Sequence, residues 1–251
     1  MIRWRNNQYQ HSDFAMKFSV IIPARNEEAF IESCLESIKH AAKNYQDEIE
    51  IIVALNRCTD QTEEIALKNG AITVREDRRN LAKIRNAAAR SATGKIIVTI
   101  DADSQMTANM LEEIDQKLST GKFIGGGVFI LPERISLGIF VTLLAVLPAV
   151  LLYRVSGGLF WCYRKDFEVL GGFNESLVSV EDIDFARRLK SYGKSKGKRF
   201  KTLTKAHIVT SCRKFDEFGD WFLLKNPRLV RKIFQGKDQK AADRLYYDVN
   251  R

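Results

Sequence analysis

Through the first half of the chain, short apolar runs alternate with segments whose apolar positions recur at helical spacing. Phe18–Pro23 (FSVIIP) is a continuous apolar run ended by a proline, which predicts a buried strand. Ile31, Leu35 and Ile38 then fall on one helical face. Glu48–Leu55 predicts a second strand. A helix follows, opened by a capping box of Asp60 and Glu63 and stopped at Gly70. Ala71–Arg75 predicts a third strand, Asn80–Ala92 an alanine-rich helix stopped at Gly94, and Ile96–Ile100 (IIVTI) a fourth strand. This fourth run is apolar throughout, as a strand covered on both faces should be. Met106–Leu118 reads as a helix, Phe123–Ile130 as a strand broken by three glycines, and the region of Glu181–Tyr192 as a helix closed by Gly193. Regular βα alternation predicts a mainly parallel sheet flanked by helices, with ligands at the carboxyl ends of the strands.

Ile135–Tyr153 departs from this pattern, being 19 residues without a charge. A membrane-spanning helix needs about 20 apolar residues, so three readings compete: a half-buried helix of the domain, a helix dipping into a membrane surface, or a span. Pro148 and the folded-looking sequence on both sides argue against the span, leaving a soluble chain or a peripheral contact through 135–153.

Composition changes the picture in three ways. With 45% hydrophobic residues over 251 positions, the chain has material for a large core and is not a disordered protein. Four cysteines, scattered without a CxxC pair, exclude a disulfide scaffold and suit a reducing compartment. Forty Lys and Arg against 31 Asp and Glu give a net charge of +9, which favours an anionic partner without choosing among a phosphate-bearing ligand, a membrane surface and nucleic acid. Residues 1–16 are polar, lack the apolar core of a secretory signal and read as a flexible tail. The expected boundaries are a globular domain over 17–215 and a basic helical extension over 216–251.

Candidate chemistry centres on two acidic pairs. Asp101 and Asp103 directly follow the fourth strand; at i and i+2 of an extended segment their carboxylates point the same way and can share a hard cation such as Mg²⁺ or Mn²⁺. The plainer alternative is an Asx turn or a cap for the next helix. Glu181 and Asp182 open a predicted helix. With Ser179 three residues earlier, Asp182 can complete a capping box, or it can serve as a general base.

Four segments in order, 18–28 (FSVIIPARNEE), 54–62 (ALNRCTDQT), 81–103 (LAKIRNAAARSATGKIIVTIDAD) and 171–189 (GGFNESLVSVEDIDFARRL), resemble those of family 2 glycosyltransferases. The resemblance extends from about Lys17 to Arg213. It implies a GT-A-like, Rossmann-like α/β single domain and an inverting hexosyltransferase that moves a sugar from a nucleoside diphosphate sugar, UDP-linked above all, to an acceptor hydroxyl. Residue by residue, it implies a donor nucleotide site of Pro23, Ala24, Arg25, Asn26, Glu27, Asn56, Asp60, Arg85, Ala102 and Arg213. Asp101 and Asp103 match the family's metal pair, with His207 as a third ligand, and Asp182 its catalytic base, with Glu181 alongside. Gly157, Gly158 and Trp161 would face the acceptor, for which a lipid-linked molecule is one candidate. The expected location is the cytosol, either free or peripherally at the inner face of a membrane. Two departures stand out. Leu55 and Arg57-Cys58 replace commoner family residues beside the base, and there is no QxxRW, so processive chain growth is not expected.

Two rivals remain. A phosphatase-type hydrolase also places Asp-x-Asp after an apolar strand, but after its first strand rather than its fourth. A non-catalytic basic module could bind a membrane surface or nucleic acid through residues 187–201, which hold eight bases and no acid. That run lacks the interleaved aromatics of single-strand binders, so no nucleic-acid partner is expected.

Overall fold

The computed structural model describes residues 17–45, 48–153 and 158–246, with side chains for all of these except 146–153 and 245–246. The expected tail at 1–16 and Gly157 lie outside the described residues.

In chain order the elements begin with β1 (Phe18–Ala24), α1 (Ile31–Ala41), β2 (Ile49–Leu55), α2 (Thr62–Lys68), β3 (Ile72–Arg75), α3 (Leu81–Arg90) and β4 (Ile96–Ile100). Then come β5 (Ser104–Met106), α4 (Met110–Ser119), β6 (Phe123–Pro132), α5 (Leu137–Tyr153), β7 (Leu159–Tyr163), α6 (Arg164–Val169), α7 (Glu181–Ser195) and β8 (Arg199–Thr210). Four helices follow: α8 (Arg213–Phe218), α9 (Phe222–Lys225), α10 (Pro227–Gln235) and α11 (Gln239–Tyr246).

One sheet runs β3-β2-β1-β4-β7-β6-β8-β5. The parallel arrangement expected from βα alternation holds across β3, β2, β1 and β4. Beyond β4 the sheet becomes mixed: β7 is antiparallel to both β4 and β6, β8 is parallel to β6, and β5 is antiparallel to β8. Strand order reverses between β1 and β4, the switch point at which open α/β sheets bind ligands.

Side-chain alternation along β1 builds both halves of the core. Phe18, Val20 and Ile22 pack with Leu35 and Ile38 of α1 and Ile114 of α4 on one face. Ile21 turns to the other, with Ile84 of α3 and Phe185 and Leu189 of α7. All seven residues of β1 are buried, as a strand covered on both faces requires.

Several local expectations are corrected. Residues 104–106 pair with β8 as a short strand, so α4 starts at Met110 rather than Met106. Gly193 does not close α7, which continues to Ser195. A Cβ at Gly193 would lie 2.6 Å from Ile124 Cγ2, so the glycine lets α7 lie close on β6. Glu63 does not complete a capping box with Asp60, because its carboxylate pairs with Arg75. The apolar run forms α5, whose part over 137–145 is half-buried, with Ile139 and Thr142 buried and Leu137, Phe140 and Leu144 exposed. Among the described residues no helix is long and apolar enough to cross a membrane.

Candidate functional site

A cleft opens at the carboxyl ends of β1, β2 and β4, on the switch point. Its lining includes Pro23, Ala24, Arg25, Glu27, Asn56, Asp101, Ala102, Asp103, Arg213 and Lys214. Residues from three of the four resembling segments and from the start of α8 therefore meet in one place. Backbone strain is concentrated at this rim: Asn26 (φ 48°), Arg57 (φ 52°) and Val180 (φ 54°) are the non-glycine residues with positive φ among those described. They follow β1, follow β2 and precede α7. A β-branched residue in this conformation is costly and persists only where its surroundings impose it.

The two acidic pairs converge on one buried guanidinium. Arg85, on α3, donates to Asp101 Oδ1 at 2.6 Å and, through its other terminal nitrogen, to Glu181 Oε1. Its side chain is 6% exposed and its Cζ lies 5.4 Å from the centre of the Phe173 ring. Arg85 is thus engaged from both sides beneath the cleft, where it positions the two carboxylates. Burial pushes Glu181 up to about 7, with the neighbouring negative charges of Asp182 and Asp101 adding to the rise and Arg85 opposing it. Burial also raises Asp182, again against Arg85. Asp182 Oδ1 accepts from its neighbour's Ile183 N–H at 2.7 Å. The capping box with Ser179 does not form, because the Ser179 hydroxyl donates to Ile233 O at 2.8 Å.

A second arginine holds the other side. Arg213 donates to both carboxylate oxygens of Glu27, at 2.5 and 2.8 Å, and lies 3.0 Å from Asp103 Oδ2. Asp101 and Asp103 line the same cleft, but not as an extended pair. Ser104 N–H donates to Asp101 O at 3.1 Å, closing a turn that hands each carboxylate to a different arginine.

Other expected site residues have different work. Asn56 is fully buried in the cleft wall, and its amide donates to Glu76 O at 2.5 Å and Arg78 O at 3.0 Å, fixing the loop that leads to α3. Asp60 braces its loop: it accepts from Thr62 Oγ1 at 2.6 Å and Glu28 N–H at 3.0 Å. Asn26 likewise spans to the Thr59 N–H at 2.9 Å. His207 is corrected as a metal ligand. It sits on β8 beside Thr107, whereas Ser211 is the residue bonded to Asp103 O. Four positions along a strand is about 13 Å, too far to share an ion with Asp103. Among the described residues no group of three or more His, Cys, Asp and Glu is placed to hold a metal. Trp161 is corrected as an acceptor-side residue: it is fully buried, its Nε1 donating to Gly127 O at 3.3 Å in the core. Gly158 directly precedes β7, whose Leu159 pairs with Ile100 at the end of β4.

Sequence reading missed the residues that hold α3 and α7 together. Asn80 caps α3, accepting from Lys83 N–H at 2.9 Å, and its amide reaches Glu175 O and Leu177 O. Asn86 both donates to Phe173 O and accepts from Phe173 N–H, each at 2.9 Å. The cap was detectable as an Asn at the head of an alanine-rich helix; the tertiary partners were not.

Against known proteins, residues 19–133 match the family described as Glycosyl transferase family 2. Over this segment, a little under half of the chain, the sequence is similar to glycosyltransferase family 2. Among curated relatives, the low-salt glycan biosynthesis hexosyltransferase Agl6 of Haloferax volcanii is 32% identical over 124 residues, 47% of this chain and 30% of Agl6. The glycosyltransferase AglE of the same organism is 28% identical over 231 residues, 85% of this chain and 71% of AglE. The alignment with Agl6 thus spans less than a third of that protein. Among solved structures, mannosyltransferase PcManGT from Pyrobaculum calidifontis, in complex with GDP-Man and Mn²⁺, superposes with a TM-score of 0.62 at 22% identity, covering 91% of this chain and 67% of its own. The fold is GT-A.

Proposed function

We propose that this glycosyltransferase is an inverting hexosyltransferase, transferring a sugar from a nucleoside diphosphate sugar to an acceptor hydroxyl. The observation that carries this reading is the Arg85 bridge, which links Asp101 in the cleft lining at the switch point of the sheet to Glu181, the neighbour of Asp182 at the head of α7. PcManGT, solved in complex with GDP-Man and Mn²⁺, supports a nucleotide-sugar donor and a divalent ion.

Single displacement at the anomeric carbon needs a base for the acceptor hydroxyl and groups that stabilise charge on the departing diphosphate, and no nucleophile on the protein. Asp182, half-buried at the head of α7, is the base. Its raised proton affinity lets it take the proton as the hydroxyl attacks. Arg213, Lys214 and Arg25, all in the cleft lining, face the diphosphate, with the Arg213 fork matched to phosphate oxygens. The nucleoside lies along Pro23, Ala24 and Asn56.

The cleft suits a divalent cation. Two carboxylates, Asp101 and Asp103, line it, and the Arg213 guanidinium already places positive charge between Asp103 and Glu27. A two-carboxylate donor set suits Mg²⁺ or Mn²⁺, which take water and phosphate oxygens in their remaining positions. When bound there, the ion would supply a Lewis acid for the leaving diphosphate. We place the acceptor on a membrane as a lipid-linked molecule, with the exposed side of α5 making a peripheral contact.

The test is a thermal-shift screen of UDP- and GDP-linked sugars with and without Mn²⁺. For each donor that stabilises the protein, transfer to lipid-linked acceptors and the anomeric configuration of the product are then determined by NMR. A metal-dependent shift and an inverted product support the reading. Phosphate release from simple phosphomonoesters without sugar transfer would favour a hydrolase.

A further inference from the structure

The apolar surface of α5 does not stand alone. Residues 221–237 (WFLLKNPRLVRKIFQGK) carry five bases, Lys225, Arg228, Arg231, Lys232 and Lys237, and no acid. In the fold they run through α9 and α10. The helix α10 turns Ile233 inward against Phe218, Phe222 and Ala241, with Leu229 packed beside it. Arg228, Arg231 and Lys232 are exposed together with Phe234, which is 52% exposed. Lys225, Arg228 and Arg231 have no acidic partner among the described residues. Trp221, at the start of the same segment, is 41% exposed.

This basic surface adjoins α5. Arg134, just ahead of α5, pairs with Asp216 and with Asp220 at 2.9 Å. A Cβ on Gly138 would lie 2.8 Å from the Asp220 Cβ, so the backbones meet there. Leu137, 70% exposed, and Trp221 flank that contact, which joins the two exposed surfaces. Large apolar side chains beside bases that no acid neutralises are the mark of a helix lying in the interface of an anionic bilayer, not of one that crosses it.

We propose that α5 and residues 221–237 form one docking surface for an anionic lipid bilayer. This inference rests on the peripheral contact proposed above and adds its second element and its lipid class. It also fits the position of the chemistry. Gly236 O accepts from Val178 N–H at 2.9 Å, and Ile233 O accepts from the Ser179 hydroxyl, so the end of α10 is bonded to the loop that leads into Glu181 and Asp182. A bilayer seated on α10 brings a lipid-linked acceptor towards the proposed base.

Co-sedimentation of the full chain with vesicles of phosphatidylcholine alone, or of phosphatidylcholine with phosphatidylglycerol, tests this. The expected result is salt-sensitive partition into the phosphatidylglycerol vesicles and weak partition into the neutral ones. The Lys225→Gln/Arg228→Gln/Arg231→Gln variant should lose roughly a hundredfold in partition, with an unchanged circular dichroism spectrum and melting point. Phe234→Ser should weaken binding to the same vesicles. Equal partition of wild type into both vesicle types would overturn the anionic assignment while leaving the apolar contact of α5 in place. Partition into neither would remove both. An unaffected triple variant, or binding to an RNA homopolymer with none to vesicles, would also overturn the proposal.

Discussion

Arg85 and Glu181, 96 positions apart in the chain, form a buried ion pair beneath the cleft, and the other terminal nitrogen of Arg85 reaches Asp101 at 2.6 Å. A charge this deep is tolerable only while it is paired. Arg85→Ala leaves Glu181 buried without its partner and should cost about 3–5 kcal/mol in unfolding free energy. Arg85→Lys should recover only part of it, because an ammonium cannot fork to two carboxylates. Chemical denaturation of both variants, and of Arg85→Ala/Glu181→Gln, checks this: the double variant should be more stable than Arg85→Ala alone.

Asp182→Asn should separate binding from chemistry. The amide cannot take the acceptor proton, so kcat should fall by about 10²–10⁴. Donor affinity, set on the far side of Arg85, should stay within a few-fold in titrations of the same variant. Turnover equal to wild type would remove Asp182 as the base.

The acidic pair should also shape the pH response. Asp182 and Arg85 face Glu181, and Asp101 lies across Arg85. Because burial raises Glu181 from 4.5 to about 7, the folded state binds its proton more tightly than the unfolded chain does. Its contribution to stability is therefore full below about pH 4.5 and is lost as pH rises towards 7. Unfolding free energies of wild type and Glu181→Gln across that window should diverge with this sign. Transfer needs Asp182 ionised, and burial raises it, so the acid limb of kcat should lie above the ordinary carboxylate range.

Much of the fold was legible because β1, β2 and β4 are continuous apolar runs that announce buried strands, and because the acidic pair stands at the end of one of them. The mixed half of the sheet was not. Its strand β8 is largely basic and polar, and its buried positions, such as Leu203, Ala206 and Ile208, are too sparse to show alternation. Trp161 was expected on the acceptor side through the resemblance alone, whereas here Gly126 lets the indole pack into the sheet. The pairing of Arg213 with Glu27 joins residues 186 positions apart and has no local signature.

That pairing gives a further expectation. Arg213→Ala removes two charge-assisted hydrogen bonds from Glu27, which is 4% exposed, and should destabilise the free protein by about 1.5–3 kcal/mol. If Arg213 also faces the diphosphate, the same variant should bind a nucleoside diphosphate about tenfold more weakly or worse. Thermal unfolding with and without UDP or GDP reads both effects: the variant should melt lower, and its ligand-induced shift should shrink.

The central assignment is a nucleoside diphosphate seated between Asp101, Asp103 and Arg213. Calorimetric titration of UDP and GDP into the folded protein, with and without Mn²⁺, tests it most directly. Binding of one nucleotide that strengthens with Mn²⁺, and an Asp103→Ala variant that stays folded but loses the metal-dependent increment, is the predicted result. Failure of either nucleotide to bind folded wild type, whether or not Mn²⁺ is present, would contradict it.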